Sequence, residues 1–265
     1  MAYFISTIPT PLLSTPDFSA VFGGAHGTLP FDAENLVRAL EMIAFPETVF
    51  EVVQSHGEFI LEVQTAEYPS LYPLYVDKRF GKKAKHRPPP RSKTLPEASV
   101  LLDRMKNLIG RPYIWGGNYA CGIHEILTHY PAPKHKTLSA LETSSWTFQG
   151  VDCSGLLYEA SEGALPRNTQ DLLFVGKSVP ITHLSWDELP GVLEPLDLLI
   201  WKGHMTIVFD DKRVIESKHE WGGVTMTDLK KRLKYLRTVD KKKGAEDPIQ
   251  VLQNPDTFLV RRFIT

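Results

Sequence analysis

The chain of 265 residues contains only two cysteines, Cys121 and Cys153. Two thiols are too few for a disulfide framework, and too few for a zinc site without histidine partners. They fit a reducing compartment with at most one functional thiol. Charge of one sign is also lacking. The 30 Lys and Arg against 31 Asp and Glu leave a formal net charge of -1, so no global field attracts nucleic acid or an anionic membrane. Long apolar runs are missing too, and none approaches the roughly 20 residues of a bilayer-spanning helix. The opening MAYFISTIPTPLLSTP has no positive n-region, and Pro9, Pro11 and Pro16 interrupt its apolar stretches. It does not read as a secretory signal, and a cytoplasmic location is expected. No internal repeat is visible.

What is present is ordinary for a globular protein, at 42% hydrophobic and 23% charged residues, and long enough for one large domain or two modest ones. Residues 1–80 look strand-rich. Thr48–Val53 and Phe59–Val63 mix β-branched and aromatic residues around a turn at Ser55-His56-Gly57, and Leu74–Val76 adds a short strand. Asn35–Ile43 (NLVRALEMI) fits a helix equally well. Residues 81–96 (GKKAKHRPPPRSKTLP) hold three consecutive prolines among basic residues, the composition of an extended, solvated linker. The basic run Lys230–Lys243 reads the same way, as a solvated face.

Residues 97–265 carry a different pattern. Leu101, Met105 and Leu108 lie on one helical face that Gly110 ends. Asp152–Glu162 (DCSGLLYEASE) starts with an N-cap type residue and stops at Gly163. Leu198–Trp201, Met205–Phe209, Val214–Ser217 and Phe258–Phe263 read as strands, so helices precede an antiparallel sheet in an α+β order.

A cysteine beside leucines is more often inert core than nucleophile. Cys153, however, sits at a predicted helix start, where unpaired N–H groups and the helix dipole favour a thiolate. A thiolate needs a base within hydrogen-bond reach, and His204 opens a strand, where the sheet can fix it and still let it face a groove; on the residues alone a partly exposed surface histidine is the plainer reading. Asp210-Asp211-Lys212 reads as the turn to the next strand. With a three-residue loop, Phe209 faces Arg213 and Glu216 faces Thr206, which places Glu216 on the His204 face, diagonally offset, at roughly 7–8 Å between Cα atoms. Glu216 is then the orienting acid. A one-residue slip would exchange it for His219.

The order Pro112-Tyr113-Ile114-Trp115-Gly116-Gly117, Asp152-Cys153-Ser154-Gly155, Leu165-Pro166-Arg167, Pro195-Leu196-Asp197-Leu198 and Gly203-His204 resembles the successive motifs of the NlpC family of cell-wall cysteine peptidases. The resemblance covers about Pro96 to Thr265. It implies a papain-like α+β domain, and the strand-rich module before it resembles a small bacterial SH3-like β-barrel. The implied activity is hydrolysis of the γ-D-glutamyl–diamino acid bond of peptidoglycan stem peptides (L-Ala-γ-D-Glu-diamino acid). Cys153 would be the nucleophile, His204 the base, and Glu216 would stand where the family commonly has histidine. By motif match, Tyr113 lies near the nucleophile, Asp152 and Ser154 hold the stem peptide, Thr169 lines its groove and Trp115 forms groove wall or core. Arg167 is the candidate for meeting the peptide's acidic groups.

The chain departs from the family pattern in a long stretch between Gly117 and Asp152, and in Leu196 where glycine is usual. That stretch contains Cys121, His124, His129 and His135, whose spacing matches no standard zinc finger. Neither metal nor cofactor is expected. Two other readings stand beside peptidase action: a thiol-dependent amidase or acyltransferase on another amide or ester, and a non-catalytic cell-wall-binding protein.

Overall fold

In a computed structural model, which describes residues 2–23, 27–134 and 136–264, the chain divides into two compact units. One holds residues 1–93 together with 111–152, and the other residues 94–110 together with 153–265. The sequence boundary at the proline-rich segment therefore does not separate the units by itself, because residues 111–152 pack with the N-terminal one. Among the described residues no helix is long and apolar enough to cross a membrane.

The N-terminal unit is built on strands β1 (Ala2–Ser6), β2 (Thr10–Leu13), β3 (Leu40–Ala44), β4 (Val49–His56), β5 (Ile60–Gln64), β6 (Leu74–Asp77) and β7 (Gly81–Ala84). They form one seven-stranded sheet in the order β3-β2-β6-β5-β4-β1-β7. With β3 and β7 as edges this is an open sheet, and no closed SH3-like barrel is found among the described residues. Two of the expectations for this half need correction. Asn35–Ile43 is not a helix: Asn35 is left-handed at φ 59, and β3 instead pairs with β2, with Met42 opposite Leu12. Leu40, Met42 and Ile43 are all buried, so sheet burial prevails over a pattern that suits either period. The start of the supposed linker is β7, paired with β1. The prolines that follow are in neither helix nor strand.

The stretch between Gly117 and Asp152 closes a core with this sheet. Ile123, Ile126, Trp146 and Phe148 pack in one cluster with Leu13, Phe18, Phe22 and Leu40. A short ladder joins β8 (Asn118–Tyr119) to β9 (Gly150–Val151). Asn118, fully buried, protects the β3 edge. Its Oδ1 accepts from Ile43 N at 2.8 Å and its Nδ2 donates to Ile43 O at 2.8 Å. An exposed strand edge is thereby paired by a side chain that carries both a donor and an acceptor.

The second unit carries β10 (Lys177–Val179), β11 (Leu198–Trp201), β12 (His204–Val208), β13 (Arg213–Lys218), β14 (Gly223–Asp228), β15 (Lys243–Gly244) and β16 (Thr257–Arg262). The sheet order is β10-β16-β11-β12-β13-β14, with β15 beside β16. Pairing is antiparallel except between β15 and β16. The helix Ala98–Asn107 buries Leu101 and Met105, and Arg104 Nη1 donates to Ala160 O at 3.0 Å, at the end of the helix Gly155–Ala160. The α+β order of this half is as the sequence pattern predicts.

Asn118→Ala leaves the N–H and C=O of Ile43 without these partners inside the protein. It is expected to lower the unfolding free energy in urea by about 2–4 kcal/mol. A change below about 0.5 kcal/mol would show that the edge bonds are not what holds the 111–152 stretch.

Candidate active site

Cys153 occupies the turn just before the helix Gly155–Ala160, which is shorter than the predicted span and has Ser154, not Asp152, as its N-cap. The Ser154 Oγ accepts from Arg167 Nη1 at 3.0 Å, and both residues are buried. The charge of Arg167 is thus placed inside the fold beside the turn that carries Cys153. Thr169 opens the short helix Thr169–Leu172.

His204 follows a two-residue hairpin in which Trp201 faces His204. Gly203 at φ +84 supplies the left-handed backbone such a turn requires. In the next hairpin Phe209 N donates to Arg213 O at 2.9 Å, and Ile207 and Val208 face Ile215 and Val214. Continuing that register sets Thr206 opposite Glu216, so Glu216 shares the His204 face on the diagonal. The His204 Nε2 and Glu216 Oε2 are 2.8 Å apart. Cys153 lies close enough to the same ring to favour its charged form. His219 lies beyond the strand, in the turn His219–Trp221. Trp201 packs on the His204 ring, with centroids 5.1 Å apart.

Behind Glu216 stands Arg232. Its Nε donates to Oε1 at 2.6 Å and its Nη2 to Oε2 at 2.9 Å, while Nη1 donates to Asp240 Oδ2 at 3.2 Å. The side chains of Glu216 and Arg232 are 0% and 1% exposed, against 15% for His204. Burial of the imidazole works against its charge. The hydrogen bond and charge at Cys153, reinforced by those at Glu216, outweigh that and hold the His204 pKa at about 9. Burial would likewise raise the Glu216 carboxyl, but its bonds to His204 and Arg232 bring it below the ordinary carboxylate value.

Arg232 was not among the residues the sequence pointed to, because it sits inside a basic run that reads as solvated. The missed signal is its position. In the helix Leu229–Thr238 the buried residues are Leu229, Arg232, Leu233 and Leu236, so an arginine interrupts the apolar stripe. Buried arginine without a partner is rare.

Tyr113, Trp115 and Asp152 belong to the N-terminal unit, and Cys153, Ser154, Arg167, Thr169, His204 and Glu216 to the other. Trp115 is 39% exposed and has the Arg38 guanidinium 4.2 Å from its ring centroid. Tyr113 is half-buried in a loop. Asp152 N donates to Gly117 O at 2.9 Å. Leu196, in the place of a usual glycine, keeps a left-handed backbone at φ 70, a conformation costly for a branched side chain. It precedes Asp197, which is fully buried and held by Arg262 at 2.8 and 2.7 Å. Both cysteines are free thiols, Cys121 exposed and Cys153 buried. Among the described residues no three or more His, Cys, Asp or Glu gather as a metal set. His135 lies outside the described residues.

A thiol, an imidazole and a carboxylate gathered at one place are the side-chain types that acyl transfer uses as nucleophile, base and orienting acid. No protein-family model matches the chain, and no curated protein does. Among solved structures it is similar to the peptidoglycan hydrolase RipB from Mycobacterium tuberculosis, with 21% identity over 63% of this chain and 65% of that one, at a TM-score of 0.37. It is also similar to a NlpC/P60 family protein from Bacillus cereus, with 18% identity over 100% of this chain and 64% of that one, at 0.36. A third is RipD from M. tuberculosis, a non-catalytic NlpC/p60 domain protein, with 18% identity over 50% of this chain and 87% of that one, at 0.33. The chain thus spans just under two thirds of the length of the first two. The candidate site rests on the motif order and the geometry of Cys153, His204 and Glu216, not on these likenesses.

The raised His204 pKa ties stability to pH. Its folded value of about 9 lies above the ordinary 6.5, so the contribution is fully present below about pH 6.5 and is lost as pH rises through about 9. The urea unfolding free energy should decline across that window by up to about 3 kcal/mol, and the decline should be absent from His204→Gln. An equal decline in that variant would place its cause in another group.

Proposed function

We propose that the protein is a cysteine endopeptidase that hydrolyses the γ-D-glutamyl–diamino acid bond of peptidoglycan stem peptides. The observation that carries the reading is the His204–Glu216 pair, with Oε2 2.8 Å from Nε2 and Cys153 close enough to favour the charge of the imidazole, at the positions where the motif order places a nucleophile and base. The two free thiols suit the reducing cytoplasm, where such peptides would be recycled.

The chemistry divides into two acyl transfers. The Cys153 thiolate attacks the γ-carbonyl carbon of D-glutamate, forming a C–S bond. The tetrahedral intermediate collapses as His204 passes its proton to the amine of the diamino acid, which leaves as the C–N bond breaks. Water then attacks the thioester while His204 accepts its proton. The C–S bond breaks, and the peptide departs with a free γ-carboxylate. Glu216 keeps the ring aligned throughout and favours its charged form.

Incubation with L-Ala-γ-D-Glu-diaminopimelate, followed by mass spectrometry, should show free diaminopimelate with wild type and none with Cys153→Ala. Cleavage by both proteins would overturn the mechanism. Failure by both, with Cys153 still readily alkylated, would favour transfer to a different acceptor or action on another amide or ester. His204→Ala is expected to lower kcat/KM by about a thousandfold. Above about pH 9, where His204 loses the proton meant for the leaving amine, hydrolysis should fall while iodoacetamide alkylation of Cys153 does not. Parallel falls would mean that the proton donor is another group.

A further inference from the structure

We propose that Arg232 is a positioning residue for this site, holding Glu216 ionised and aimed at His204 so that a fully buried carboxylate can serve as the orienting acid. The proposal rests on the reading of Cys153, His204 and Glu216 as the working set.

Glu216 has no water to turn to, since its side chain is 0% exposed. A buried carboxylate in that state is neutralised unless opposite charge and hydrogen bonds compensate its lost hydration. His204 supplies one bond, to Oε2, and Arg232 supplies two, one to each oxygen. The paired contact from a rigid guanidinium fixes the carboxylate plane as well as its charge. Three rings confine the guanidinium itself, with the centroids of Trp201, Trp221 and Tyr235 each 5.2 Å away. Trp201 also packs on His204, so one indole sets the place of both cations.

The charges that face this cluster come from several elements. The turn before the Gly155–Ala160 helix brings Cys153, β12 brings His204, and β13 brings Glu216. Lys218, at the end of β13, has its Nζ 5.0 Å from the Trp221 and Tyr235 centroids. His219 follows in the next turn, Tyr235 shares the helix of Arg232, and Asp240 takes the remaining Nη1. With Cys153 as thiolate and His204 as imidazolium, the inner four groups sum to zero because Arg232 is present. Without it they would carry one uncompensated negative charge in a dry interior. The site would then take up a proton, and Glu216 has the least access to water.

The test reads His204 directly, by NMR titration of the histidine-labelled full chain, with the signal identified by its loss in His204→Gln. Wild type should titrate at about 9. In Arg232→Met the midpoint should drop to about 8 or below as Glu216 loses its charge, and Arg232→Lys should recover part of the drop. Glu216→Gln should drop likewise, and adding Arg232→Met to it should bring no further fall. An unchanged or higher midpoint in Arg232→Met, or additive drops in the double variant, would overturn the proposal. If Arg232→Met does not fold, the double variant decides. It should fold better than the single one, because the unpaired carboxylate is gone, whereas equal failure of both would reduce Arg232 to packing. The titration needs no peptide, so absence of cleavage would count against the endopeptidase reading and leave the role of Arg232 decided.

Discussion

The site is organised by one buried anion. Glu216 lies out of contact with solvent, between an imidazole on one side and a guanidinium on the other. Two requirements follow from that placement. Strand β13 must present it in a register that allows no slip, because a shift of one residue would turn the carboxylate to the opposite face of the sheet. The helix after β14 must bring a cation inward, at the position where its apolar stripe would otherwise hold a leucine. The aromatic residues Trp201, Trp221 and Tyr235 gather where they do because the guanidinium has to be packed as well as paired.

The same economy of partners appears away from the site. In the N-terminal unit, Asn118 uses both ends of its amide to satisfy a strand edge, and Asp77, fully buried, is engaged by Arg79 and by the Tyr130 hydroxyl at 2.6 Å. In the second unit, Asp197 is held by Arg262. Each is a polar side chain taken from water and given two or more hydrogen bonds, which a buried polar group needs if it is not to destabilise the fold.

How much could be read beforehand depended on the range of the forces involved. The strands β11, β12 and β13 were legible because short apolar and β-branched runs bounded by turn residues are local signals. The three-residue loop at Asp210–Lys212 then carried the reading as far as the parity of Glu216. The helix Ala98–Asn107 was legible from its spacing and its glycine stop. Asn35–Ile43 was not, since its apolar residues suit either period and the choice fell to pairing with β2. Arg232 was hidden by its neighbours, whose exposed lysines made the whole run look solvated.

By itself the sequence determined the α+β order of the second half, the motif succession around Cys153 and His204, and the hairpin parity that faces Glu216 toward His204. All three are set by residue spacing, which acts over a few positions. Tertiary structure alone decided that residues 111–152 pack with the N-terminal sheet, that this sheet is open, and that a distant arginine completes the carboxylate's shell. Those outcomes turn on which buried surfaces and charges find partners across long stretches of chain, and residue spacing does not encode that.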